Sequence, residues 1–153
     1  MKTIDQDIAR RAFEDALAQH DQAFGQFFLA RLLGFEITYP EDACRVQFLV
    51  HDYMFNPQGS LHGGIIALAM DVSMGHLLNR LRGPGATLEI KVQYLRPVGA
   101  GRAVAVGRVL RQGGSVAFLE SRLTDGDGAL AAVATSTWKT AVAPTRNGDT
   151  QST

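Results

Sequence analysis

The run Asn56-Pro-Gln-Gly59-Ser-Leu-His62-Gly63-Gly64 leads directly into a long apolar stretch whose single acid is Asp71. A helix entered through two glycines leaves its first backbone N–H groups uncovered, and the helix dipole adds to their pull on negative charge. Glycine there also lets a carbonyl group approach the backbone where a side chain would hold it off. A Gly-Gly pair before a helix is a common turn, so alone it is a weak sign. Asp71 is a stronger one, because a lone carboxylate among apolar residues is costly unless it is hydrogen-bonded or put to use. Ala67 and Gly75, one turn to either side, are small and leave room for a cleft. A carboxylate in a cleft serves as a general base or a nucleophile; the competing reading is a buried Asp satisfied by structural partners.

Helix geometry joins the two features. Gly63 and Asp71 are eight positions apart, roughly 12 Å along a straight helix at ~1.5 Å per residue. One reacting carbon cannot sit beside both. If both act in one reaction, Gly63 of one subunit must meet Asp71 of another, which predicts a symmetric dimer with two shared sites and no active monomer.

Metal chemistry has little support in the sequence. His62 has no second His, Cys or Glu near it at ligand spacing, so a hydrogen-bonding role is the simpler expectation. His76 lies on the same helix and reads as a satisfied core residue.

These groups need a scaffold. Ile4–Gln19 has a helical apolar period, and Phe24–Leu33 reads as a second short helix stopped by Gly34. Alternation at Phe35–Tyr39 and the β-branched and aromatic run Cys44–Val50 predict two strands turning at Pro40-Glu-Asp42. Between Leu61 and Asn79 there is no Lys, Arg or Glu, so the helix over Leu61–Arg82 has almost no solvent face and must lie at the centre of the domain. Strands follow at Thr87–Leu95, Arg102–Arg111, Val116–Asp125 and Ala129–Lys139, and their short turns predict an antiparallel meander. The fold class is α+β, a sheet wrapped on a helix, with a helical segment over 1–33, the main domain over 34–140 and a polar tail over 141–153 expected to be disordered.

Composition narrows the function. Lys plus Arg and Asp plus Glu are 15 each, which gives no field favouring nucleic acid or an anionic membrane. The single Cys44 cannot close an intrachain disulfide, and Met1–Arg11 has no signal-type apolar core, so a cytoplasmic location is expected. Asp71, Ser73, His76 and three glycines interrupt the apolar stretch, which argues against a membrane span.

Asn56, Gly59, His62-Gly63-Gly64 and Asp71 at these spacings resemble the signature of hotdog-fold acyl-CoA thioesterases of the PaaI type, within the 4-hydroxybenzoyl-CoA thioesterase superfamily. Thr87-Leu-Glu-Ile-Lys-Val-Gln-Tyr94-Leu-Arg96-Pro97 is similar to the strand that follows in that family, and the likeness covers about Gly34 to Lys139. The resemblance implies a hotdog fold and hydrolysis of an acyl-CoA, aryl or medium-chain, to CoA and a carboxylic acid, without a cofactor. It implies that Gly63 N–H donates to the thioester oxygen and that Asp71 attacks or activates water. It places Asn56 near the thioester and the water, gives His62 the support of the loop, and offers Thr87 as a helper. Strict alternation, however, puts Thr87 on a polar face with Glu89, Lys91 and Gln93. Arg96, Arg111 and Gly64 are the candidates for holding CoA, Met70, Met74, Leu77 and Phe55 for lining an acyl pocket, and a homodimer or tetramer is the implied assembly. Two other functions remain open at this stage, a hotdog hydratase or dehydratase and a non-enzymatic acyl-CoA sensor. The residues before Gly34 are too few and too acidic for a convincing DNA-binding module.

Overall fold

The computed structural model describes residues 4–141, so the tail expected to be disordered lies almost wholly outside them. Helix α1 (Gln6–Gln19) starts at Asp5, whose Oδ1 accepts the N–H groups of Asp7 and Ile8 at 3.1 and 3.0 Å, a side-chain N-cap. Helix α2 is shorter than the sequence suggests, Phe28–Leu32 only. Residues 20–27 form turns instead, with Gly25 in the left-handed region at φ +78°, a conformation that interrupts a helix. This segment lays Phe24 edge-on against His76, ring centroids 5.0 Å apart.

Six strands form one antiparallel sheet: β1 (Glu36–Thr38), β2 (Ala43–Val50), β3 (Gly85–Tyr94), β4 (Gly101–Gln112), β5 (Val116–Thr124) and β6 (Leu130–Thr140). Between β2 and β3 runs α3 (Gly63–Arg82), packed across the sheet. The strand order is β1-β2-β4-β5-β6-β3, which corrects the expected four-strand meander. Of the four strands after α3, only β4, β5 and β6 follow one another in the sheet. Strand β2 takes the free edge of β4 in a full register from Ala43↔Arg108 to Val50↔Gly101. Helix α3 carries the chain across the sheet, and β3 joins the far edge beside β6.

The core lies between α3 and the concave face of the sheet. Cys44, Val46, Phe48 and Val50 of β2 and Leu119 and Leu123 of β5 are buried there with Met70, Met74, Leu77 and Leu78 of the helix. The helix comes close because β4 carries Ala103, Ala105 and Gly107 beneath it. A Cβ on Gly107 would fall 2.5 Å from the Ser73 carbonyl oxygen, so any side chain there would push α3 off the sheet. Burial pushes the Cys44 thiol up to about 12, which leaves it unreactive. No described helix is long and apolar enough to cross a membrane.

Candidate active site

The loop before α3 is shaped by Asn56. Its Oδ1 accepts the backbone N–H groups of Gln58 at 3.0 Å and Ser60 at 3.3 Å, while its Nδ2 donates to Ser60 Oγ at 3.2 Å. This Asx-type turn sets the entry to the helix, whose N-cap is His62. His62 Nδ1 accepts the Gly64 N–H at 2.9 Å, and the His62 carbonyl accepts from Ile65 and Ile66 at 2.9 and 3.2 Å. The first-turn donors are therefore claimed one by one, except the Gly63 N–H, which has no partner among the described residues. Gly63 opens onto a cavity of about 440 Å³ together with Asn56, Gln58, Tyr94 and Arg96.

Asp71 opens onto a different cavity, of about 310 Å³, walled by Phe24, Phe27, Leu68, Val72, Gly75, His76, Thr87 and Trp138. Thr87 Oγ1 donates to Asp71 Oδ1 at 3.0 Å. Simple alternation fails here because the β3–β6 register slips between Thr87 and Glu89. Tyr94, Val92 and Ile90 face the helix opposite Ala132, Ala134 and Ser136; the slip at Leu88 then turns Thr87, opposite Trp138, to that same face. Burial pushes the Asp71 carboxyl above the usual carboxylate range, and the Thr87 hydroxyl, by donating to the ionised form, opposes that rise.

The back of the Asp71 cavity is an aromatic wall. Trp138 Nε1 donates to Ser136 Oγ at 2.7 Å, and the indole lies so close over Gly75 that a Cβ there would fall 2.6 Å from its ring. His76 is only 5% exposed, yet its Nε2 has no partner among the described residues, which corrects the expectation of a satisfied core histidine. Burial lowers its proton affinity, opposed by a hydrogen bond to the Val72 backbone. Phe24, Phe27 and His76 are shared with an adjoining cavity of about 360 Å³, so the apolar space beside Asp71 continues under the N-terminal segment.

Other expected positions differ. Met70, Met74 and Leu77 are sealed in the core and Phe55 is half-buried elsewhere, so none of the four lines the Asp71 cavity. Met70, Met74 and Leu77 point toward the sheet, and Leu68, Val72 and Trp138 line the Asp71 cavity in their place. Arg96 stands in the Gly63 cavity, but Arg111 lines neither cavity. It sits on the β4–β5 hairpin, where Gly114 accepts from Arg82 at the last turn of α3, roughly 30 Å from Gly63 at ~1.5 Å per residue. The Gly64 N–H is already spent on His62, so a role for Gly64 toward a ligand would rest on its lack of a side chain. Sequence reasoning missed Phe24, Phe27 and Trp138, which converge on the site only through tertiary packing. It also missed Tyr94, whose place at the end of the strand preceding Arg96 was visible but carried no assigned role. Among the described residues no group of three or more His, Cys, Asp or Glu could hold a metal ion.

Comparison with known proteins gives the family and the fold. Residues 58–132 match the thioesterase superfamily. The chain is 31% identical over 128 residues to the medium/long-chain acyl-CoA thioesterase YigI of Escherichia coli, covering 71% of this chain and 82% of that protein. It is 30% identical over 131 residues to SSO2140 of Saccharolobus solfataricus, described in general terms as an esterase, covering 84% and 89%. Among solved structures, the Bacillus halodurans protein BH2602 with CoA superposes with a TM-score of 0.81 at 23% identity over 94% of this chain and 97% of that one. The E. coli PaaI protein of the phenylacetic acid degradation operon does so at 0.73 and 20%, over 88% and 96%.

Proposed function

The chain belongs to the thioesterase superfamily and is a thioester hydrolase of the hotdog fold, and from that premise we propose that it cleaves an acyl-CoA, aryl or medium-chain, at a site assembled from two subunits. The observation that carries this reading is the division of labour along α3. The unclaimed Gly63 N–H opens onto one cavity and the Asp71–Thr87 pair onto another, eight residues further on. Two copies of α3 packed antiparallel about a two-fold axis bring the Gly63 cavity of one chain against the Asp71 cavity of the other. Support for such pairing comes from β3, whose outer edge is unpaired among the described residues and carries exposed Leu88 and Tyr94, with exposed Leu95 just after it.

In this reading Gly63 N–H donates to the thioester oxygen and stabilises the negative charge that develops on it. Asp71 takes a proton from water as the oxygen of that water adds to the carbonyl carbon. The tetrahedral intermediate then collapses and expels the CoA thiolate, which takes the proton that Asp71 had accepted and leaves as the thiol. The alternative within the same site is direct attack by Asp71 on the carbonyl carbon, which breaks the C–S bond, expels the CoA thiolate and gives an anhydride that water opens. A carboxylate raised above its ordinary pKa is the better base in the first route and the better nucleophile in the second. Thr87 holds the reacting carboxylate in place, Asn56 and His62 shape the loop that presents Gly63, and Arg96 reaches toward CoA phosphate. The acyl group enters the space between Trp138, Phe24 and Phe27, and the relative's medium/long-chain substrates suit that apolar continuation. A thiol-release assay over a panel of acyl-CoAs tests the reading. Release of CoA by the wild type and its loss in Asp71→Asn are expected; a folded enzyme inert on every acyl-CoA would remove it.

A further inference from the structure

We propose that Tyr94 is a positioning residue that locks the Gly63–Gly64 peptide so that the Gly63 N–H stays aimed into its cavity. The inference rests on the proposed role of Gly63 and adds the element that enforces it. Tyr94 Oη donates to the Gly63 carbonyl at 2.8 Å, and its ring carbons lie 3.3 Å from where a Gly63 Cβ would be. Two consecutive glycines give the backbone more freedom than any other pair, so an amide at such a point keeps one direction only if its neighbouring peptide planes are held.

Both planes are held here. The His62–Gly63 plane is fixed through its carbonyl, which accepts from Ile65 and Ile66. The Gly63–Gly64 plane is fixed at both ends, its carbonyl by Tyr94 Oη beside the helical bond from four residues on and its N–H by His62 Nδ1. Of these bonds only that from Tyr94 comes from outside the helix entry. Strand β3 thus carries both anchoring side chains, Thr87 on Asp71 near its start and Tyr94 on Gly63 at its end. A donor held before the reaction costs no reorganisation as the oxyanion forms, which is where a loosened donor loses rate.

Tyr94→Phe keeps the ring and removes only the hydroxyl. The expected result is kcat lower by about tenfold with KM for the acyl-CoA changed less than about twofold, because the lost restraint acts on the transition state more than on binding. Amide hydrogen exchange at Gly64 in the same variant should accelerate, a readout that needs no substrate. Unchanged kcat overturns the proposal whatever the exchange shows, and a fall in kcat/KM carried by KM alone would make Tyr94 a binding surface instead. If the wild type proved inert on every acyl-CoA, the thioesterase reading would fall, and unaltered exchange at Gly64 would then overturn the locking role on its own.

Discussion

Thr87 meets Asp71 because β3 slips by one residue at Leu88: without that bulge the Thr87 hydroxyl, 3.0 Å from Asp71 Oδ1, would face away from the helix. The bond opposes the rise in the Asp71 pKa caused by burial. Thr87→Val keeps the shape and removes the donor, so the carboxyl should protonate at a higher pH. With Asp71 acting in its ionised form as proposed, the acid limb of the kcat/KM profile should move upward in pH, with kcat near the plateau lower by about tenfold. An acid limb at the wild-type position would detach Thr87 from the reacting carboxylate.

Asp71→Asn separates catalysis from stability. Loss of the base or nucleophile should lower kcat by about a hundredfold or more. The folded-state pKa of Asp71 lies above its unfolded value, so its contribution to stability is present below the ordinary carboxyl pKa and is lost as pH rises through the folded value. At neutral pH the ionised, partly buried group is a burden that Asn removes. Thermal melts should therefore show the variant at least as stable as wild type at pH 7, with the difference shrinking in acid. A variant that is clearly less stable at neutral pH would point to a structural Asp71.

Gly75 tests the wall of the proposed acyl cavity. A methyl group there would fall 2.6 Å from the Trp138 ring, and the indole is tethered by its bond to Ser136, so the two must part. Gly75→Ala should destabilise the fold by about 1–3 kcal/mol, as overpacking does, and shift the preferred acyl length. Urea unfolding and a chain-length series of acyl-CoAs measure the two effects. Wild-type stability together with a wild-type length profile would mean that Trp138 yields freely and does not shape the pocket.

The proposed sharing of each site between two subunits is tested by a subunit-mixing experiment. Gly63→Val should displace Tyr94 and keep the thioester oxygen from the Gly63 N–H proposed to bind it, and Asp71→Asn removes the carboxylate, so each homodimer should be inactive. After subunit exchange, half the dimers are mixed and each holds one intact site of two, giving about a quarter of wild-type activity if assembly is random. Full exchange, verified by mass, with no recovery would show that each site is built within one chain.

Much of the candidate site could be read from residues alone because its main terms are local. An apolar run with one acid and two leading glycines fixes a helix, its buried character and the eight-residue offset of Gly63 from Asp71, since helix rise is independent of what surrounds it. The strands over Cys44–Val50 and from Arg102 onward were legible for the same reason, because alternation reports a face with one side buried. The face of Thr87 was not legible, since a bulge belongs to a pairing and the partner strand β6 lies about fifty residues away. Nor was the position of β3 at the sheet edge, which follows from α3 carrying the chain past β4, or the side of α3 that Met70 and Met74 take. Helical period gives the angle between side chains but not which angle points to the sheet. Sequence by itself determined which groups could react and how far apart one chain must hold them. Only the tertiary structure decided what stands against each, because those partners, Thr87, Trp138, Phe24 and Tyr94, arrive by long-range packing that no local preference encodes.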